Sequence, residues 1–348
     1  MTTPIAAKRL DVRVLLILWV VALGLYAPTI SQWSLSGDEF YTYEDSTFSI
    51  PKMLSFNSRP LYFIVCHYLL KWLPDWPVEF VIRVPAMLAV SLIPPSIYGI
   101  LRPPRHQNIG LLAGVLALFN PWLFQMSQFG RYYGFVLLFA TFATTAALQV
   151  IESRNRTFWI VVVFGSGLLS AVSHPPSILL IPAAVAGWIL VGLAKQPAYT
   201  WNLLKRFGWL LILGGLIAAA LAVYLLQGVL LQWSSAGRTE FAGGYDLKSI
   251  LMSLGVGGGI STWCLALLPL LRLPIRWSSR DIFLTTFLVV GTVPLLCLAP
   301  FGGGVSSKYL LYCLPCVFIL AGRHWQKVSH QLPTIGYQFA LACVILGC

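Results

Sequence analysis

The sequence predicts an all-α integral membrane protein. It reads as one polytopic helical bundle of about ten or eleven transmembrane helices, with interfacial helices in the first external loop. Three observations predict this. Of the 348 residues, 58% are hydrophobic and only 10% charged, too little polar surface to coat a water-soluble globule. Apolar runs of about 18 residues or more recur along the chain without the alternation of barrel strands, and a helix needs about 20 to cross a bilayer. The basic residues lie in short loops at alternate ends of those runs.

That last pattern orients the chain. With the N-terminus cytoplasmic, fifteen bases and three acids fall on inner segments, and eight of each on outer ones. The whole net charge of +12 then lies on one side, as the positive-inside rule requires, and nucleic acid is not the partner it implies. The seven cysteines sit in or beside apolar runs and read as small hydrophobes, without a disulfide framework.

In order, residues 13–30 form the first span and lead outward. Residues 34–77 make the first external loop, which carries Asp38, Glu39, Glu44, Asp45 and Arg59. Within it, 39–56 mixes aromatic, acidic and apolar residues as an interfacial helix does. Residues 61–73 are apolar but too short to cross, and counting them as a span would invert the charge asymmetry, so they form a second interfacial helix. Spans 78–101, 109–124, 134–151, 158–173 and 178–193 follow, then 208–231, 250–271, 282–300 and 309–322. The apolar stretch 335–348 is short for a span, so the chain reads as a single unit, 1–348, with a truncated or short C-terminus.

The outer loops bring a small set of chemically useful groups to one face: Asp38 and Glu39, Arg59, Arg131 with Tyr132 and Tyr133, His174, and Lys308 followed by Tyr309. Carboxylates beside separate cations suit a step in which a hydroxyl loses its proton while a phosphate departs. Plainer roles exist for each. The acidic loop is also a solvated loop, Arg59 and Arg83 also suit lipid headgroups, and Trp33, Tyr41, Tyr43, Tyr132 and Tyr133 also suit interfacial anchoring. A transporter or lipid flippase would use the same outer charges, though the spans carry few ionisable residues at mid-membrane.

Taken in sequence, Gly37-Asp38-Glu39, then SRPLYFIVCHYLLKWLP, EFVIRVPAMLAV, SQFGRYYGFVLL and SSKYLLYCLP resemble the polyprenyl-phosphate-dependent GT-C glycosyltransferases. Within these they are most similar to the branch of protein O-mannosyltransferases and lipid A aminoarabinose transferases. The resemblance implies inverting transfer of a sugar from a polyprenyl-phosphate-linked donor to a lipid, glycan or protein acceptor at the outer face. It implies Asp38, with Glu39 beside it, as catalytic carboxylates, and Arg59, Arg131, Lys308 and Tyr309 as donor-phosphate contacts. Lysine at 308 replaces the family's arginine, keeping the charge but losing the planar fork. His174 would meet substrate, or join Asp38 or Glu39 at a divalent metal ion; the activated donor needs no nucleotide. A compact chain among membrane lipids, without a large lumenal domain, suits a bacterial inner membrane.

Overall fold

The computed structural model describes residues 4–56, 59–101, 107–152, 155–202, 204–205, 252, 257, 259–267, 277–298 and 307–329. It is an all-α polytopic membrane protein. Among the described residues, five helices are long and apolar enough to cross a membrane, or six if one bent pair counts as a span. The expected span 208–231 and the short apolar stretch 335–348 lie outside the described residues, as does half of 250–271.

Helix α1 (Pro4–Tyr26) leads into the loop, where α2 (Gly37–Thr47), α3 (Ile50–Phe56) and α4 (Pro60–Trp72) follow. The interfacial helix expected over 39–56 is thus two helices. Phe48 is extended (ψ 161°) and Pro51 opens α3, a position where a missing N–H costs nothing. At thirteen residues, α4 falls short of a crossing, as its length predicts.

Next come α5 (Val78–Ser91) and α6 (Ile93–Ile100), which together make one apolar segment of 23 residues. The span expected at 109–124 is not straight. It divides into α7 (Gln107–Leu118) and α8 (Pro121–Ser127), bent by 58°. Asn120 caps α8 through Oδ1, which accepts from the N–H groups of Trp122 (3.1 Å) and Leu123 (3.2 Å). Pro121 then supplies a first helical residue that needs no N–H. The Tyr26 hydroxyl donates to the Leu118 carbonyl at 3.0 Å, satisfying an acceptor at the break.

Helices α9 (Tyr133–Glu152), α10 (Arg156–Ser173) and α11 (Leu180–Lys195) complete this half. They are followed by α12 (Ile260–Leu267), α13 (Ser279–Leu298) and α14 (Leu314–Ser329). Aliphatic and aromatic side chains with interspersed alanines make one core cluster, and the polar groups buried beside it are chiefly serine and threonine. At Gly134 a Cβ would lie 2.8 Å from the Ala86 carbonyl oxygen, so α9 sits on α5 nearly backbone to backbone, the contact small residues permit in membrane bundles.

Ionic groups, some buried and some partly exposed, gather at the two ends of α9. At its C-terminal end Glu152 pairs with Arg280, while Asp281 accepts from Arg323 Nε at 2.9 Å and Lys327 Nζ at 2.6 Å. This cluster ties α13 to α9 and α14. At the N-terminal end, about 30 Å away at 1.5 Å rise per residue, lies the first external loop.

Candidate active site

The site grows from the first turn of α2, where Ser36-Gly37-Asp38-Glu39 forms a capping box. The Glu39 N–H donates to Ser36 Oγ at 3.4 Å and the Ser36 N–H donates to Glu39 Oε2 at 2.9 Å. Such a box turns the carboxylate at the third helical position back toward the cap. Asp38, about 100° earlier around the helix, consequently points elsewhere. Glu39 is 2% exposed, whereas Asp38 is open to solvent.

Glu39 meets Arg83, also buried, in a bidentate pair: Nε to Oε1 at 2.7 Å and Nη2 to Oε2 at 2.8 Å. The guanidinium spends its other N–H groups on the carbonyls of Ile30 (3.0 Å), Trp33 (2.8 Å) and Ser34 (3.1 Å). All five donors of the fork are therefore used. Glu39 Oε1 also accepts the Gly130 N–H at 2.7 Å, an approach that glycine permits, because a Cβ there would stand 3.0 Å from Ile82 Cγ1. Burial pushes the Glu39 carboxyl up, but the Arg83 fork and the Ser36 and Gly130 N–H groups together outweigh it and hold the group below its ordinary value. Glu39 thus joins the end of α1, α2, α5 and the loop before α9.

That loop delivers Arg131, Tyr132 and Tyr133. Arg131 Nη1 donates to the Asp38 carbonyl oxygen at 2.9 Å and to Thr42 Oγ1 at 3.2 Å, so it lies along the Asp38 face of α2. Its Cζ stands 5.2 Å from the centre of the Tyr132 ring. Arg59, at the start of α4, places its Cζ 4.8 Å from the same ring and donates to the Tyr132 hydroxyl. Tyr132 is 1% exposed and is the hub of the site. His174 stacks on it with centroids 5.4 Å apart and planes at 21°. Tyr133 touches it at 4.6 Å and in turn stacks on Phe129 at 6.1 Å. Lys308, from the 3-10 turn Ser307–Cys313, sets its Nζ 4.9 Å from the Phe129 ring.

Asp38, Arg59, Arg131, His174 and Lys308, more than 250 residues apart at the extremes, therefore share one contact network on an aromatic wall. The Tyr309 side chain lies outside the described residues. Among the outer aromatics, Trp33 and Tyr41 are exposed in the manner of interfacial anchors, whereas Tyr132 and Tyr133 are buried and build the site. Arg83, weighed in the sequence as a headgroup ligand, is an internal strut. A charge within the apolar 78–101 segment was its signal. Phe129 and Gly130 carried no comparable signal.

His174 is buried, and burial, then the charges of Arg59 and Arg131, push its pKa well below the ordinary 6.5. The ring therefore stays neutral where an ordinary histidine would charge. The unfolded chain takes up this proton as pH falls below about 6.5 while the folded chain refuses it, so acidification costs stability. Thermal unfolding in detergent between pH 7.5 and 5.5 is expected to show a fall in midpoint that His174→Phe reduces. Asp45, half-buried on the same α2 face, is shifted up by burial, with Arg131 opposing and Glu44 reinforcing.

A metal shared by Glu39 and His174 does not fit this arrangement. Each Glu39 oxygen already accepts two donors, and His174 lies against Tyr132. Among the described residues, no three His, Cys, Asp or Glu side chains are grouped to hold a metal ion.

Residues 75–225 match the family model described as dolichyl-phosphate-mannose-protein mannosyltransferase, a stretch that includes Arg83, Arg131, Tyr132 and His174. The fold is similar to the crystal structure of ArnT from Cupriavidus metallidurans bound to undecaprenyl phosphate. The TM-score is 0.60 and the identity 14%, over 98% of this chain and 63% of that one. No curated protein matches the sequence.

Proposed function

We propose that this protein is a membrane glycosyltransferase that moves a sugar from a polyprenyl-phosphate carrier to a hydroxyl of a lipid, glycan or protein acceptor. The observation that carries the reading is that Arg59, Arg131 and Lys308 gather on one aromatic wall while Arg131 binds the main-chain carbonyl of Asp38, whose carboxylate is exposed in the same turn of α2. The family match and the likeness to a fold that holds undecaprenyl phosphate support the same chemistry.

Asp38 takes the proton of the acceptor hydroxyl as its oxygen attacks the anomeric carbon on the face opposite the phosphate. The new C–O bond forms with inversion while the old one breaks, and the electron pair leaves on the carrier phosphate. Arg59, Arg131 and Lys308 offset the charge that grows there, and preorganised cations are among the largest sources of rate. Lys308 serves as a point charge, while Arg59 and Arg131, both within about 5 Å of the Tyr132 ring, bring planar forks able to meet phosphate oxygens in pairs. The reaction belongs to the outer face of a bacterial inner membrane with a cytoplasmic N-terminus, because the basic residues crowd the opposite loops.

The test is a transfer assay in proteoliposomes. Undecaprenyl phosphate bearing radiolabelled sugars, supplied as a mixture, is incubated with membrane extract as acceptor. Label is expected to move to acceptor in proportion to protein. Label that stays on the carrier but crosses the bilayer would favour the flippase instead.

A further inference from the structure

A cavity of mixed polar and apolar lining lies between α2 and α4, and none of the chemistry above uses it. It measures about 300 Å³ and is lined by Tyr43, Ser46 and Thr47 from α2, His67, Leu70 and Lys71 from α4, and Pro74 and Val78 beyond. That volume is at the small end for ligand sites. Ser46 is two turns along α2 from Asp38, about 12 Å at 1.5 Å per residue, and on a different face, so the cavity is separate from the Asp38 site.

Three features ask for a ligand. Ser46 is 1% exposed, yet its hydroxyl has no hydrogen-bond partner, a costly condition for a buried polar group. His67, also buried, commits Nδ1 to the Ser46 carbonyl oxygen at 2.8 Å, which fixes the ring and leaves Nε2 as its remaining polar atom. Lys71 stands exposed at the cavity with no carboxylate partner among the described residues. An exposed cation beside an unsatisfied hydroxyl and a phenol, with an apolar side made by Leu70, Pro74 and Val78, matches a phosphate attached to an apolar body.

The surroundings locate that body. Tyr68, Trp72 and Trp76 stand exposed around Lys71, with Trp72 72% exposed. Tyr68 meets Trp72 at 5.9 Å, and Trp76 meets Phe80 at 4.9 Å. Exposed tryptophan and tyrosine at the ends of apolar helices sit at headgroup level in a bilayer, where a lysine attracts anionic lipid. We infer that the cavity between α2 and α4 binds the phosphate headgroup of an anionic membrane lipid, pinning the catalytic loop to the bilayer surface.

The protein in mild detergent is titrated with phosphatidylglycerol and read by native mass spectrometry, with phosphatidylcholine and glycerol 3-phosphate as parallel arms. Saturable one-to-one binding of phosphatidylglycerol is expected, weakened about tenfold by Lys71→Gln, retained by Lys71→Arg, and stronger than that of phosphatidylcholine. In Asp38→Asn protein the binding persists, so failure of this site and failure of the glycosyltransferase reading are measured separately. Equal binding by wild type and Lys71→Gln overturns the inference. Glycerol 3-phosphate binding as tightly as the lipid overturns its membrane source.

Discussion

Asp38→Asn is expected to reduce sugar transfer by at least about 100-fold, the lower end of what a positioned general base contributes, while the protein reaches the membrane in normal amount. The two halves of that expectation have separate origins in the structure. The loss follows from chemistry, because the amide keeps the size of the carboxylate but takes no proton from an attacking hydroxyl. The normal abundance follows from geometry. The Asp38 side chain is exposed, and substitutions at such positions usually change stability by no more than about 0.5 kcal/mol. It is the Asp38 main-chain carbonyl that receives Arg131, so the amide variant keeps that cation in place. Transfer of label per unit of protein, with abundance read in the membrane fraction, checks both. Unimpaired transfer in the variant would remove Asp38 from the mechanism.

The same geometry separates two carboxylates that composition treats alike. Asp38 and Glu39 are neighbours in sequence, and a charge count sees one acidic pair. The signal that parts them was present in Ser36-Gly37-Asp38-Glu39, the Ser-x-x-Glu pattern of a capping box, which commits the glutamate to the helix end and frees the aspartate. We therefore place Asp38 with substrate and give Glu39 a positioning role.

Elsewhere the sequence was legible where one period governed a whole element. The spans 134–151, 158–173 and 178–193 fall on α9, α10 and α11 within a few residues, because long apolar runs have no alternative in a bilayer. Breaks were harder. Asn120-Pro121 sits inside an apolar stretch, and hydropathy alone does not say that its cap will outweigh helix continuity. The contact of Arg59 with Tyr132, 73 positions apart, depends on how α4 and the loop before α9 pack, which local pattern does not encode. Tyr132 and Tyr133 looked like anchors because a tyrosine at an interface and one in a buried site have the same neighbours in sequence.

Removal of Arg83 should cost the most stability of any single change near this site. Arg83→Gln leaves the Glu39 carboxylate buried without its cation and takes charged donors from the Ile30, Trp33 and Ser34 carbonyls. Breaking a buried pair from one side typically costs about 3–5 kcal/mol. Transfer activity should fall with it, since the pair joins α5 to the turn that presents Asp38. A stability loss alone would not identify the cause, but its pH dependence does. In the wild type the Glu39 carboxyl is held below its ordinary value. Its stabilisation is therefore complete above the unfolded value of about 4.3 and is lost only as pH falls through the lower, folded value. Without Arg83, only the Ser36 and Gly130 N–H groups still oppose the burial, so the folded value rises and the variant takes up the Glu39 proton at a higher pH than the wild type does. The gap in thermal midpoint between variant and wild type should then narrow from pH 7 to pH 5, as Glu39 takes up its proton in the variant alone. A gap that stays constant over that range would mean that Arg83 acts through packing and its carbonyl contacts and that its charge on Glu39 contributes little.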